Sequence, residues 1–177
     1  MRTATALRAG EPLRLSLQIP LAALVAYLAG AWFTALFPGY LPKTGGLLSA
    51  ISAILVTQLN RRDTTASASL RLLGSAIGAL SSALYLTVLP FQPLGMAAVI
   101  FVTVLLCLVL NIPGHARLAA ITVIVVMVSA SLDPRLNPVV NALLRLAESG
   151  IGTLVAVLTV LLWPENHPSE SSPSTNP

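Results

Sequence analysis

Three ionisable side chains lie inside apolar segments long enough to span a membrane: Arg71, Arg145 and Glu148. Glu148 follows Arg145 by three residues, a spacing that puts both side chains on one face of a helix. An unpaired charge at the bilayer centre costs roughly 2.5–3.5 kcal/mol, so we expect all three to face the protein interior or a water-filled cavity. A guanidinium group stays charged and holds a carboxylate through two parallel hydrogen bonds, which suits arginine to binding organic anions.

Two interpretations of these charges stay open on the residues alone. In the first, Arg145 and Glu148 pair along one helix and stabilise the bundle, while Arg71 extends to the cytoplasmic lipid headgroups. In the second, Arg71 and Arg145 bind an anionic substrate along one pathway. Glu148 is then the candidate for proton coupling.

Glycines accompany these charges. Gly74 and Gly78 follow Arg71 and are four residues apart from each other. Gly152 lies four residues after Glu148. Small residues at this spacing let two helices approach closely. We expect Gly74, Gly78 and Gly152 to serve helix packing near the pathway.

The sequence shows no pattern typical of an enzyme. His115 and His167 are far apart, and no phosphate-binding loop is present. We therefore predict no catalytic residue, no metal ligand and no cofactor. The single cysteine, Cys107, lies in an apolar run and is expected to be a small core residue.

Composition indicates an all-α integral membrane protein. Hydrophobic residues make up 55% of the 177 positions and charged residues only 9%, far from the roughly 25% of a soluble domain. The basic residues are scattered between apolar runs, which argues against nucleic acid as a partner. Apolar runs between Pro, Gly and charged breaks predict six transmembrane helices at residues 13–37, 45–59, 67–89, 94–112, 115–132 and 139–163.

The chain repeats itself. Residues 70–90 resemble residues 144–164 at a shift of 74, with Arg71 matching Arg145 and Gly78 matching Gly152, and residues 50–56 resemble 120–126. We predict two three-helix repeats at about 13–90 and 93–164. An odd number of helices in each repeat forces the second to enter the membrane from the opposite side, as in many transporters.

Lysines and arginines predict the orientation of the bundle. With the N-terminus inside, seven arginines lie on the cytoplasmic side and two basic residues outside, which favours N-in and C-in. The cytoplasmic set is Arg2, Arg8, Arg14, Arg61, Arg62, Arg71 and Arg117, and the outer set is Lys43 and Arg135. The predicted organisation is a cytoplasmic segment at 1–12, a transmembrane domain at 13–164 and a disordered cytoplasmic tail at 165–177.

Two motifs resemble those of a known superfamily. They are Arg71-Leu-Leu-Gly74-Ser-Ala-Ile-Gly78, and Arg145-Leu-Ala-Glu148-Ser-Gly-Ile-Gly152 running on to Trp163-Pro164. They resemble the membrane unit of the fusaric acid resistance and aromatic acid exporter superfamily, with plant aluminium-activated malate channels as distant relatives. The resemblance implies export of aromatic carboxylic acids across a bacterial inner membrane by a multi-pass protein.

The chain also departs from that superfamily. Many members carry a second six-helix unit and a large cytoplasmic domain, and neither is present here. The resemblance therefore implies a homodimer, and it leaves open whether a periplasmic adaptor protein takes part, as in some relatives.

The predicted function is export of organic, chiefly aromatic, carboxylate anions, with proton coupling through Glu148 as a further hypothesis. One alternative is a passive anion channel of the same fold. Another is a membrane scaffold or assembly subunit that transports nothing.

Overall fold

The computed structural model describes residues 11–132 and 137–163, without the side chains of Glu11 and Pro12. Across these residues the chain forms six α-helices: α1 Glu11–Ala35, α2 Pro42–Val56, α3 Arg61–Val88, α4 Pro93–Val109, α5 Pro113–Leu132 and α6 Pro138–Leu162. The all-α prediction is confirmed. Residues 1–10, 133–136 and 164–177, which include Arg135 and the tail predicted at 165–177, lie outside the described residues.

Four of the helices are long and apolar enough to cross a membrane: α1, counted from Leu13, together with α3, α5 and α6. The other two, α2 and α4, are apolar but shorter, at 15 and 17 residues. At 1.5 Å per residue they rise about 22 Å and 25 Å, less than the roughly 30 Å of a hydrocarbon core. The sequence predicted full spanning length for the fourth helix and was less clear about the fifth. In the structure, α5 has spanning length and α4 does not.

Helix α4 ends early because of one residue. Asn111 adopts a positive φ of 58°, and the Ile112 amide donates to the Cys107 carbonyl at 2.9 Å. This is the hydrogen-bond pattern of a Schellman cap, which an asparagine in the left-handed conformation can close. The predicted end at residue 112 therefore lies three residues beyond Val109.

Prolines and charged residues begin helices here. Pro42, Pro93, Pro113 and Pro138 each stand at the first helical position, where proline lacks only an amide hydrogen that needs no partner. Helix α3 begins at Arg61 rather than at the predicted residue 67, so the Arg-Arg-Asp sequence forms its first turn. As a result Arg71 lies almost three turns into α3 instead of one.

Apolar side chains face outward and small ones face inward. Leucines along α1 such as Leu17, Leu24 and Leu28 are about half exposed, whereas Ala22 and Ala26 are fully buried. Without a hydrophobic driving force between helices in lipid, small residues allow close backbone packing at their contacts. The centre of the bundle therefore consists chiefly of Ala, Gly, Ser and Thr.

The helices pack around a central pair, α3 and α6. Helix α2 packs on α6 and α5 packs on α3, while α1 covers α2 and α6 and α4 covers α5. Cys107 is fully buried against Ala116 and Ala119 of α5. The ionisable residues of α3 and α6, namely Arg71, Arg145 and Glu148, thus lie in the middle of the bundle.

Candidate functional site

Glu148 is fully buried near the centre of α6. Its Oε1 accepts a hydrogen bond of 2.6 Å from the Thr34 hydroxyl of α1, and its Oε2 lies 2.8 Å from Nη1 of Arg145. The arginine N–H does not point along that line, so the contact is an ion pair without hydrogen-bond geometry. The carboxylate therefore touches one neutral donor and one cation.

The backbone of α6 is also fixed at this position. The Ser49 hydroxyl of α2 donates to the Glu148 carbonyl at 2.8 Å. Gly45, one turn earlier on α2, lies so close to Thr34 that an added Cβ would overlap its hydroxyl and approach Glu148. The sequence placed the start of α2 at Gly45, whereas the helix begins at Pro42. Gly45 therefore lies inside the helix, at a position where only a hydrogen fits.

Arg71 of α3 is 3% exposed. Its Nε and Nη2 both donate to the Ser52 hydroxyl of α2, at 3.1 and 3.0 Å. Extension of Arg71 to the lipid headgroups, as in the first interpretation, is therefore wrong. The pairing of Arg145 with Glu148 in that same interpretation is observed.

A chain of hydroxyl groups joins the two arginine helices. The Ser52 hydroxyl donates to Ser149 Oγ at 3.3 Å, and Ser149 Oγ lies 2.9 Å from Ser75 Oγ. Thr122 of α5 donates to Ser75 at 3.4 Å. A hydroxyl group can donate or accept a hydrogen bond, so the donor-to-acceptor direction along this chain of hydroxyls can run either way.

Several polar atoms of this centre have no hydrogen-bond partner. They are Nη1 of Arg71, Nε and Nη1 of Arg145, and Oε2 of Glu148. Buried polar groups are paired in the great majority of structures, so unpaired ones call for an explanation. Nη1 of Arg145 and Oε2 of Glu148 contact each other as an ion pair, which leaves Nη1 of Arg71 and Nε of Arg145 as cationic donors suited to an anion.

Arg145 lies at the base of a cavity of about 240 Å³, named here the end cavity. Its described walls are formed by the α1–α2 connection and the end of α5, with Tyr40, Leu41 and Leu132 among the lining residues. Arg145 also lines a second space of about 10 Å³, which it shares with Arg71, Thr122 and Ser149. That space has room for about one water molecule.

The three predicted glycines lie at helix contacts beside these charges. A Cβ on Gly78 would overlap the Ala119 carbonyl of α5, and one on Gly152 would overlap the Ser49 carbonyl of α2. A Cβ on Gly74 would approach Leu118 at 2.8 Å. The stripe on α3 therefore faces α5, and Gly152 on α6 faces α2.

Sequence reasoning missed the hydroxyl partners of the charged residues, namely Thr34, Ser49 and Ser52, and Thr122, which donates to Ser75 beside them. Serine and threonine are frequent in membrane helices, so their presence alone carries little information. The spacing of Ser49 and Ser52, three residues apart on α2, was the available signal that both face one neighbour. No group of three His, Cys, Asp or Glu residues able to hold a metal ion occurs within 11–132 and 137–163.

Comparison with known proteins yields one match. A family model described as fusaric acid resistance protein-like matches residues 21–159, which include both arginines, Glu148 and most of the bundle. No curated protein and no solved structure matches the chain significantly.

Proposed function

The chain belongs to the fusaric acid resistance protein-like family, and from this premise we propose that it exports organic, chiefly aromatic, carboxylate anions across a bacterial inner membrane. The family and the apolar helices make it a multi-pass membrane protein of a transporter type. The substrate, the direction and the coupling are the proposal.

The observation that carries the proposal is the pair of buried arginines with unpartnered donors. Arg71 and Arg145 line one small space, and Arg145 also reaches the end cavity. A guanidinium group buried in a membrane protein requires negative or polar partners. A carboxylate entering the end cavity would meet Nε of Arg145, which has no hydrogen-bond partner.

We further propose that α1–α3 and α4–α6 are inverted repeats related by a two-fold axis in the membrane plane. Ser75 and Ser149 occupy equivalent positions, 74 residues apart, and contact each other, as residues on such an axis must. Gly78 packs on Ala119 and Thr122, and Gly152 packs on Ser49 and Ser52. These neighbours are themselves equivalent at the shift of 70 between α2 and α5, which supports the proposed symmetry.

The proposed orientation has both chain ends in the cytoplasm. Among the described residues, Arg14, Arg61, Arg62 and Arg117 then lie on the cytoplasmic side and Lys43 on the outside. Arg71 no longer belongs to this set because it is buried. The end cavity, formed by the α1–α2 connection, opens outward in this orientation.

In the proposed cycle the structure corresponds to a state closed between the arginines. The space between Arg71 and Arg145 holds only about one water, so a carboxylate passes only after α3 and α6 shift. Glu148 is the proposed proton carrier: it is ionised and paired with Arg145 while the substrate is bound, and after the substrate has left it takes a proton from the outside. Release of this proton to the cytoplasm returns the pair to the observed arrangement, so that one proton enters for each anion exported.

The assembly is proposed from the family resemblance. A homodimer would supply the second six-helix unit that many members carry in one chain. A periplasmic adaptor protein is a further partner that some relatives use.

Purified protein in proteoliposomes tests the function. With an imposed pH gradient, we expect benzoate to accumulate against its own gradient, and Arg145→Ala to abolish this flux because the anion contact is lost. Arg62→Ala removes an exposed arginine from the first turn of α3 and is the matched control, with flux retained.

The other outcomes identify the alternatives. Flux that only equalises benzoate and ignores the pH gradient indicates a passive channel. Absence of flux in the folded wild-type protein supports a scaffold, and unchanged flux in Arg145→Ala contradicts the arginine site.

A further inference from the structure

The buried centre carries one net positive charge. Among the residues that the structure describes, the buried charged side chains are Arg71, Arg145 and Glu148. Two guanidinium groups and one carboxylate leave a single positive charge uncompensated. A buried charge is costly unless an opposite charge lies beside it, so this centre favours one additional negative charge.

The end cavity offers no second cation among its described lining residues. Apart from Arg145, these described residues are neutral: Leu41 and Leu132 are apolar, and Tyr40, Thr44 and Ser129 carry hydroxyl groups. Lys43 precedes Thr44 but is exposed and does not line the cavity. A second carboxylate on a bound molecule would therefore lose its hydration without gaining a counter-ion from these described residues.

The volume limits the neutral part of the ligand. About 240 Å³ is below the roughly 300–1,000 Å³ of pockets that hold drug-sized ligands. A single ring or a short alkyl chain fits this space.

We propose that Glu148 determines charge selectivity: by neutralising one of the two buried arginines, it restricts the site to compact substrates with a single carboxylate. This inference rests on the proposed function and names the substrate class and the residue that selects it. Glu148 acts by neutralising the charge of Arg145. Its own negative charge also lowers the positive electrostatic potential that the substrate experiences.

The position of Glu148 is suited to this role. Thr34 holds its Oε1 at 2.6 Å and Ser49 holds its backbone carbonyl at 2.8 Å, so the carboxylate stays within 2.8 Å of Arg145. Replacement of Glu148 by Gln keeps the size of the side chain and an oxygen for Thr34, while it removes the negative charge. The centre would then carry two net positive charges.

Uptake into proteoliposomes at one pH on both sides tests this inference, because no proton gradient then contributes. The probes are benzoate, terephthalate with a second carboxylate, and the neutral benzamide. We expect wild-type protein to carry benzoate at least about tenfold faster than terephthalate, since an unpaired charge in a membrane protein costs more than the 1.4 kcal/mol of a tenfold ratio. In Glu148→Gln we expect this ratio to fall about tenfold.

Asp63→Asn makes the same carboxylate-to-amide change at an exposed position in the first turn of α3 and should keep the wild-type ratio. Equal rates for benzoate and terephthalate in wild-type protein, or an unchanged ratio in Glu148→Gln, overturn the inference while the export function stands. Absence of any carboxylate flux in wild-type protein, or equal flux of benzamide, overturns the function itself. Where the variant is unstable, the wild-type ratio still tests the restriction to substrates with a single carboxylate.

Discussion

At the scale of single residues, the centre depends on hydroxyl groups that accept from guanidinium groups. The Ser52 hydroxyl receives two N–H donors from Arg71 and in turn donates to Ser149. One oxygen atom thus satisfies most of the hydrogen bonding that the buried Arg71 makes. A side chain as small as serine can therefore decide whether an arginine is tolerated inside the bundle.

Replacement of Ser52 by Ala should destabilise the protein by about 1.5–3 kcal/mol, because it leaves charged donors of Arg71 buried without an acceptor. The measurement is chemical or thermal unfolding in detergent. Ser69→Ala is the matched control, since Ser69 is exposed on α3 and only bonds the carbonyl of Ala66. Equal unfolding midpoints for the two variants would contradict the importance of the Ser52 contact.

At the scale of elements, glycine sets the distance between helices at the central contacts. Gly152 meets the Ser49 carbonyl of α2 so closely that a methyl group does not fit. Gly150 lies two residues away on the same helix, where an added Cβ would meet only Leu72 Cδ2 at 3.8 Å. The two glycines therefore differ in packing although they share a helix.

We expect Gly152→Ala to cost about 1–3 kcal/mol, because α2 and α6 must move apart. Gly150→Ala should be neutral or stabilise the protein by up to about 1 kcal/mol, since alanine favours a helix over glycine. Unfolding of both variants in detergent measures the difference. A stable Gly152→Ala protein with unchanged flux would show that this close approach is dispensable.

The sequence predicted the elements better than their contacts. All six helices were predicted, because long apolar runs separated by Pro and Gly can be recognised from the sequence alone. The first turn of α3 was missed because three consecutive charged residues, Arg61, Arg62 and Asp63, are typical of a loop when nothing is known of their solvent exposure. The end of α4 was missed because Asn111 adopts a backbone conformation that residue type alone does not specify. Arg71, Arg145 and Glu148 were found because charges are rare in such runs. Their partners on α1 and α2 depend on packing between helices distant in the chain.

At the scale of the whole molecule, the proposed inverted repeat gives α2 and α5 opposite directions through the membrane. Their first residues, Pro42 and Pro113, are then on opposite sides. The first turns of these two helices offer exposed positions at both sites, Lys43 in α2 and Gly114 in α5.

Single cysteines test this arrangement with a membrane-impermeant maleimide on intact cells. Lys43→Cys should react from outside, and Gly114→Cys only after the membrane is permeabilised. The native Cys107 is fully buried, so the unmodified chain provides the background. Labelling of both positions from one side would contradict the repeat, and a reversed result would contradict the N-in orientation.

The hydrogen bond between Thr34 and Glu148 joins the first helix to the last, across 114 positions of the chain. A ribosome adding about 5–20 residues per second needs on the order of ten seconds between these two residues. Until α6 has been synthesised, Thr34 and Ser49 lack the acceptors that Glu148 provides, whereas Arg71 can already contact Ser52 of α2. Completion of the interior therefore depends on α6, which supplies Arg145, Glu148 and Ser149 to the centre.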